Sequence, residues 1–271
     1  MSTVTRVHHL NLGAMQPYGG ALFDGRASIL APAELACHCL LLETEAGLVL
    51  IDTGVTSRDA AEAARRHSPM FLAADRIRLD PAESAVAQVR ARGHDPAAVA
   101  NIVMTHLDFD HAAGLADLPA ARVHLSSRES AAARMRDSAK AQQRYRPGQW
   151  GEEGRWTTYA RFNRDWHGLP ATELDGLGPD ILLVSLPGHT EGHCGVAVRT
   201  EDGWLLHAGD AIFHHLELAV PPSMPTGARA YQWLMQTSQR QRRRSLARLR
   251  ALHSRHPRIR IICTHDPSLL S

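Results

Sequence analysis

The segment 105–111, Thr-His-Leu-Asp-Phe-Asp-His, constrains this chain more than any other part of its sequence. It places four side chains that can bind a metal within six positions, directly after the mostly apolar residues 101–104. A short apolar run predicts a buried strand that ends in a loop, and the strand end holds that loop in place. Imidazole nitrogen suits zinc and iron, whereas carboxylate oxygen is a harder, charged ligand. We therefore interpret 106–111 as a metal-binding loop rather than as a solvated polar loop.

Three further apolar runs have the same form, because each ends in a break followed by a His or an Asp. Residues 181–186 lead to His189, residues 204–208 lead to Asp210, and residues 259–263 lead to His265. If these strands belong to one sheet and end together, their side chains converge on one rim. Seven candidate ligands are too many for one tetrahedral ion and fit two ions that share a bridging carboxylate. The candidates are His106, Asp108, Asp110, His111, His189, Asp210 and His265.

This pattern resembles the metal signature of the metallo-β-lactamase-fold hydrolases, His-x-His-x-Asp-His followed by a distant His, a bridging Asp and a last His. The resemblance extends over nearly the whole chain and implies an α/β fold, a four-layer αβ/βα sandwich. Residues 50–54 also resemble a strand-turn element of that superfamily, whose Asp, here Asp52, supports the metal site. The resemblance implies the following ligand sets. The first ion is held by His106, Asp108 and His189, the second by Asp110, His111 and His265, and Asp210 bridges the two.

Asp108 departs from the usual signature, because most of these enzymes have a second His at that position. A carboxylate adds negative charge at the first ion and favours harder metals such as iron or manganese. The flavodiiron oxygen reductases of the same superfamily also carry an acidic residue there, so the change is compatible with a working site. We expect two divalent metal ions, with zinc first and iron or manganese as alternatives.

The stretch 187–193, Pro-Gly-His-Thr-Glu-Gly-His, and the ending 265–267 are similar to the lactonase-like branch of the superfamily. That resemblance implies a hydrolase that uses a metal-bridging hydroxide to cleave a carboxylic ester or a lactone. Gly-x-Ser-x-Gly is absent, so no nucleophile elbow competes with the metal site. The alternatives on the same fold are a diiron redox protein, favoured by Asp108, and a metal-bound sensor.

Proton donation to the leaving group is the step that the sequence leaves open. The lactonases usually carry a Tyr three residues after the bridging Asp, and this chain has Phe213 there, which cannot donate a proton. His214, His215 and Tyr18 are the candidate replacements. Asp110 is also a catalytic candidate, because it can orient the hydroxide as well as bind metal.

Composition predicts a small-molecule enzyme rather than a nucleic-acid or membrane protein. The net charge of +2 is too small to indicate nucleic acid, and no apolar stretch approaches the length of a membrane span. The start of the chain has no apolar leader, so we expect a cytoplasmic protein. The four Cys lie in or beside apolar runs, which predicts reduced, buried thiols. The oligomeric state stays open, with a homodimer among the possibilities.

The length of 271 residues suits one domain covering 1–271, with an insertion at 126–169 as a cap. This insertion begins helical and then becomes aromatic, which fits either a small core of its own or a wall for the metal site. Residues 39–42 and 48–51 predict a hairpin, and capping patterns predict helices that begin near Thr56 and at Asp80. His193 is interpreted as a brace for its loop. The arginine-rich run 240–244 is interpreted as the solvated face of a helix.

Overall fold

Two β-sheets form the centre of the protein. The structure, a computed structural model, describes residues 4–25, 28–55, 76–78, 80–145, 148, 150–151 and 153–270. Within those residues, one sheet has seven strands and the other has six. The strands of the first sheet are β1 (Val4–Met15), β2 (Leu35–Thr44), β3 (Gly47–Ile51), β4 (Ile77–Arg78), β5 (Val99–Val103), β6 (Arg122–Ser126) and β7 (Trp156–Tyr159). The strands of the second are β8 (Arg164–Trp166), β9 (Leu169–Leu174), β10 (Gly178–Ser185), β11 (Cys194–Thr200), β12 (Gly203–His207) and β13 (Arg260–Ile262).

The order of the strands separates an antiparallel half from a parallel half in the first sheet. Its spatial order is β4-β1-β2-β3-β5-β6-β7, in which β3, β5, β6 and β7 run parallel. The second sheet has the order β13-β12-β11-β10-β9-β8, and its only parallel pair among the described strands is β12 with β13. Parallel strands end at the same edge, so β3 and β5 deliver the residues that follow them to one rim, as do β12 and β13.

Six α-helices lie among the described residues. They are α1 (Ala85–Ala91), α2 (Phe109–Ala112), α3 (Ser127–Met135), α4 (Ala139–Arg144), α5 (Thr226–Met235) and α6 (Gln239–Arg255). Val89 of α1 packs in the cluster of buried side chains outside the first sheet, and Leu249 of α6 packs in the cluster outside the second. The predicted αβ/βα sandwich of the metallo-β-lactamase fold is confirmed by this layering.

Alternation along each strand divides its side chains between an outer core and the core between the sheets. In β2, Leu41 faces the outer cluster while Leu40 faces the shared one. In β10, Leu182 packs outward toward α6, while Leu183 packs between the sheets. Both faces of β2 and β10 are therefore mostly apolar, because both are largely buried. This explains why these strands appear in the sequence as continuous apolar runs rather than alternating ones.

The local predictions agree with the structure at most of the described positions. The hairpin is formed by β2 and β3, which pair antiparallel around residues 45 and 46. The helix expected from Asp80 begins later, since Asp80 caps a short 3-10 turn and Ser84 caps α1. The helix expected near Thr56 lies outside the described residues.

The predicted insertion 126–169 contributes to several layers. Its first half forms α3 and α4. Trp156 lies in β7 of the first sheet and Trp166 in β8 of the second. Tyr145 and Trp150 extend the buried cluster outside the first sheet. The aromatic residues of this segment therefore enlarge the cores of the two sheets.

The cysteine prediction is confirmed, because all four Cys are buried and free. Among the described residues, no helix is long and apolar enough to cross a bilayer. The longest of those helices, α6, carries seven Arg and has an exposed polar face.

Candidate metal centre

The loops that follow four strands bring the seven predicted ligands together. The loop after β5 carries the first four, and the loops after β10, β12 and β13 carry one each. All seven side chains are buried, with at most 6% of any residue exposed. They form three overlapping groups, and within each group the ligand atoms lie within 4.8 Å of one another. The groups are His106 with Asp108 and His189, His106 with His111 and Asp210, and Asp110 with His111 and His265.

The first group corresponds to the ligand set implied for the first ion. Oδ2 of Asp108 lies 2.9 Å from Nε2 of His189 and 3.5 Å from Nε2 of His106. Oδ2 of Asp210 lies 3.4 Å from the same nitrogen of His189 and 3.9 Å from that of His106. Two imidazoles and two carboxylates therefore face one another across a gap of the size that a metal ion occupies.

The group of Asp110, His111 and His265 is built in the same way, and Asp210 lies beside both this group and the group of Asp108. Nε2 of His111 and Nε2 of His265 each lie 3.5 Å from Oδ2 of Asp110. Oδ1 of Asp210 lies 3.3 Å from Nε2 of His111, and its Oδ2 lies 3.1 Å from Nε2 of His265. The Asp210 carboxylate thus stands between the two groups, in the position of a bridge.

Several ligand atoms in this cluster are buried without a hydrogen-bond partner. They include Nε2 of His106, Nε2 of His111 and Oδ1 of Asp210. An orphaned buried polar group costs about 1–3 kcal/mol, so a fold rarely gathers several of them without a ligand. Nitrogen and carboxylate oxygen atoms that converge in this way fit a metal pair, and the residues present therefore suit the group that the fold family implies.

The charges of the cluster are also arranged for cations. Burial opposes ionisation of Asp210, but His265 and His111 outweigh it and hold the pKa of Asp210 well below its usual value. Burial raises the pKa of Asp110 despite the nearby histidines, and the adjacent carboxylates act in the same direction. Burial lowers the pKa of His189 to about 4, which keeps its imidazole neutral and able to bind metal at pH 7. Burial lowers the pKa values of His111 and His265, but the neighbouring carboxylates Asp110 and Asp210 outweigh it and raise both. When no cation is present, these imidazoles therefore tend to carry the positive charge that balances the carboxylates.

Asp52 supports two of the ligand histidines, His111 directly and His106 through Thr105. The Nδ1 of His111 lies 2.8 Å from Oδ2 of Asp52, which leaves Nε2 to face the cluster. The backbone N–H and the hydroxyl of Thr105 both donate to Asp52, at 2.8 and 2.7 Å. The Thr105 oxygen lies 3.0 Å from Nδ1 of His106. The support expected of Asp52 thus reaches His111 directly and His106 through Thr105.

His193 braces the neighbouring loop, as its interpretation from the sequence expected. Its Nδ1 donates to the carbonyl of Leu186 at 3.0 Å, and its Nε2 accepts the N–H of Asp210 at 2.9 Å. Both ring nitrogens are therefore occupied by backbone groups, so this imidazole links the loop of His189 to that of Asp210. Gly209 is required there, because a Cβ at its left-handed φ of 52° would lie 2.8 Å from Nε2 of His193.

Glu129 of α3 ties two ligand loops together and is absent from the sequence prediction. Its Oε1 accepts the N–H of Leu107 at 3.0 Å and the hydroxyl of Tyr145 at 2.9 Å. Its Oε2 accepts the hydroxyl of Thr190 at 2.6 Å and the N–H of Gly192 at 3.2 Å. One buried carboxylate therefore joins the loop of His106 and Asp108 to the loop of His189. Nothing in the local sequence distinguishes Glu129 from a surface glutamate in the first turn of a helix.

Arg144 at the end of α4 is the second residue that the sequence did not indicate. Its Nε lies 2.9 Å from Oδ1 of Asp108, and both side chains are buried. The same guanidinium donates to the carbonyl of His189 at 3.1 Å and to that of Met235 at 2.6 Å. Burial raises the pKa of Asp108, but Arg144 and then His106 outweigh it and leave that pKa well below its usual value. Arg144 thus contacts two members of the first ligand set.

The three candidate proton donors lie in different surroundings. Nδ1 of His215 is 2.5 Å from Oδ2 of Asp266, the residue after His265, and this imidazole is 41% exposed. Nδ1 of His214 accepts the N–H of Leu216 at 3.1 Å, which uses that nitrogen in a local cap. Tyr18 is 68% exposed, and the Arg76 guanidinium lies over its ring at 4.1 Å.

Phe213 itself forms part of the wall of the cluster. Its ring centroid lies 4.9 Å from that of His265 and 5.8 Å from that of His189. On its other side it packs with Met224, Ala228 and the partly buried Tyr231. An apolar ring therefore stands beside both ligand sets.

Comparisons with known proteins give one consistent result. A model of the metallo-beta-lactamase superfamily matches residues 32–260. A probable metallo-hydrolase of Mycobacterium tuberculosis is 38% identical over 97% of this chain and 81% of its own length. An N-acyl homoserine lactonase of Bacillus cereus is 26% identical over 70% of this chain and 71% of its own length. A solved N-acyl homoserine lactone hydrolase, with N-hexanoyl-L-homoserine bound at its catalytic metal center, is 20% identical with a TM-score of 0.70 over 98% of this chain and 95% of its own.

Proposed function

The chain belongs to the metallo-beta-lactamase superfamily and is a metal-dependent hydrolase, and we propose that it uses two metal ions to cleave a carboxylic ester or a lactone. The observation that carries this proposal is the convergence of seven buried His and Asp side chains with unpartnered atoms at their centre. The comparisons favour hydrolysis over the redox alternative, because the relatives are named as hydrolases and lactonases.

Each ligand set is proposed to bind one of the two metal ions. The first ion is assigned to His106, Asp108 and His189, the second to Asp110, His111 and His265, with Asp210 shared by both. When bound, such a metal pair lowers the pKa of a water molecule toward neutrality and polarises a carbonyl oxygen. Asp110 has the further task of orienting the attacking water, because its carboxylate lies on the second set beside Asp210.

The substrate is proposed to lie against Phe213, whose ring touches a histidine of each set. An apolar wall beside a polar centre suits a substrate with one hydrolysable carbonyl group and an apolar remainder. The helical part of 126–169 closes one side of the centre, because α4 ends in Arg144 against Asp108. A small apolar ester or lactone therefore fits better than a polyanion.

Among the candidate proton donors, the contacts favour His215. Asp266 holds Nδ1 of its ring and receives its backbone N–H at 2.9 Å, so the imidazole is oriented and its Nε2 is left to act. His214 is the second candidate, with one ring nitrogen already used by a backbone group. Tyr18 is a third candidate that would need to move, because its ring is stacked under Arg76 at the surface.

The test is elemental analysis of protein purified without added metal, combined with a panel of small esters, lactones and phosphodiesters. We expect about two ions per chain and turnover of esters or lactones. His215→Gln should keep the metal and lower turnover, whereas His253→Gln on α6 is a matched surface control that should change neither. Two irons with no turnover on any member of the panel would refute the hydrolase proposal and favour redox chemistry or sensing.

A further inference from the structure

We propose that Arg144 is the charge partner of Asp108, and that the two together replace the neutral histidine that the superfamily signature has at this position. An ionised Asp and a buried Arg add up to no net charge, as a neutral imidazole does. The first ligand set would then present the same total charge to its ion as the usual set. This inference rests on the ligand assignment of the proposed function.

The two oxygens of the Asp108 carboxylate face different partners. Oδ1 faces Nε of Arg144 at 2.9 Å, while Oδ2 faces His189 and His106. One oxygen therefore lies in an ion pair with the guanidinium, without a hydrogen bond between Oδ1 and Nε, and the other oxygen faces the ligand set. With Oδ1 turned toward the arginine, the carboxylate presents Oδ2 to the ligand set, as an imidazole presents a single nitrogen.

Further hydrogen bonds of the Arg144 guanidinium also fix its position beside Asp108. Its two other guanidinium nitrogens donate to the carbonyls of His189 and Met235. The next residue, Tyr145, donates to Glu129, which holds the same two ligand loops. The end of α4 is thus fastened to the first ligand set at several points, and the arginine cannot swing away from Asp108 without breaking them.

The ion pair with Arg144 changes which metal the carboxylate at position 108 is expected to prefer. By itself, a carboxylate at this position favours hard metals such as manganese or iron. With Arg144 holding one oxygen and cancelling the charge, the set should prefer zinc, as a histidine set does. Removing the arginine would free both oxygens and restore the negative charge, so the preference should move toward manganese.

The experiment is a double-mutant cycle read by metal affinity instead of turnover. Zinc and manganese dissociation constants are measured by chelator competition for the wild type, Asp108→His, Arg144→Met and the double variant. Asp108→His alone leaves a buried arginine beside a neutral ligand and a cation, so we expect zinc to bind about tenfold or more weakly. The double variant should recover to within about threefold of the wild type. Arg144→Met alone should raise the manganese-to-zinc affinity ratio about tenfold.

A purely structural role for Arg144 predicts a different cycle. If the arginine only tethered the loops, the double variant would bind zinc more weakly than Asp108→His, and the ratio would not change. Lys140→Met is the matched control, because Lys140 is also on α4 and donates to the carbonyls of Leu234 and Gln236 without touching a ligand. It should leave both affinities unchanged, and circular dichroism melting curves verify that each variant is folded.

The possible outcomes separate this inference from the function on which it rests. A wild type that binds neither metal tightly would refute the two-metal function itself. A wild type with two ions whose double variant is no better than Asp108→His would refute only the pairing. Rescue in the double variant, together with the shift toward manganese in Arg144→Met, would establish it.

Discussion

Glu129→Gln is the substitution that tests most directly how the first ligand set is held together. The carboxylate accepts four hydrogen bonds, two at each oxygen, and each oxygen receives one hydroxyl and one backbone N–H. A glutamine has the same shape but offers an NH₂ group in place of one oxygen. A hydroxyl can turn to accept from that NH₂, whereas the backbone N–H of Leu107 or Gly192 cannot.

The expected loss in the free energy of unfolding follows from the number of hydrogen bonds that the substitution breaks or weakens. One buried N–H left without an acceptor costs about 1–3 kcal/mol, and the loss of charge from the remaining acceptor costs about 1 kcal/mol more. The free energy of unfolding of the metal-free protein should therefore fall by about 2–4 kcal/mol. The metal of the first set should also bind more weakly, because the loops of His106 and His189 lose their common anchor.

Urea unfolding of the chelator-treated protein measures the first effect, and elemental analysis after dialysis measures the second. Glu153→Gln is the matched control, because Glu153 pairs with Arg134 at 2.7 Å on a partly exposed surface. Its effect on the free energy of unfolding should stay below about 1 kcal/mol. A Glu129→Gln protein as stable as this control, with full metal content, would refute the account of Glu129 as the link between the loops.

Three further expectations concern the bridge, the aromatic wall and a buried histidine. Asp210→Ala should lose metal and activity together, since it removes the group shared by both sets; two retained ions per chain would contradict the assignment. Phe213→Tyr should leave metal content unchanged and raise lactone turnover about tenfold, because a phenol beside both sets can donate a proton; a fall in metal content would mean that Phe213 is misplaced. Burial lowers the pKa of His124 from 6.5 to about 4 in the folded protein. As the pH falls, the unfolded chain therefore takes up this proton at a higher pH than the folded protein does. Acid should destabilise the fold progressively between pH 6.5 and 4. That loss amounts to about 3 kcal/mol, and His124→Asn should flatten the pH dependence of urea unfolding by this amount; an unchanged slope would show that His124 is not buried in its neutral form.

The strands and the seven candidate ligands could be predicted from the sequence because both depend on local patterns. Apolar runs predicted β5, β10, β12 and β13, since strands with most of their side chains buried are rich in apolar residues. A polar residue directly after such a run lies at the strand's end whatever the rest of the chain does. The expectation that these strands share one sheet was wrong, because β5 belongs to the first sheet and β10, β12 and β13 to the second. The ends of strands from both sheets meet, and the structure places all seven side chains in one cluster.

Glu129 and Arg144 could not be predicted in this way. Each lies on a short helix among other charged residues, where the sequence is typical of a solvated face. Their burial depends on where α3 and α4 pack, which is decided by contacts with segments distant in the chain. Asp108 is 36 residues from Arg144, and Gly192 is 63 residues from Glu129.

The sequence by itself therefore determined the main strands and the residues that could bind metal, because apolar runs and ligand types are local features. Its resemblance to the metallo-β-lactamase-fold hydrolases implied the sandwich of two sheets. Only the tertiary structure decided that Glu129 and Arg144 join Asp52 and His193 in holding those ligands, and what charge accompanies Asp108. A carboxylate at position 108 implies a hard-metal site when it is considered alone. The buried guanidinium that packs against it comes from another part of the chain and changes that implication, because electrostatic balance depends on distance in space rather than on order in sequence.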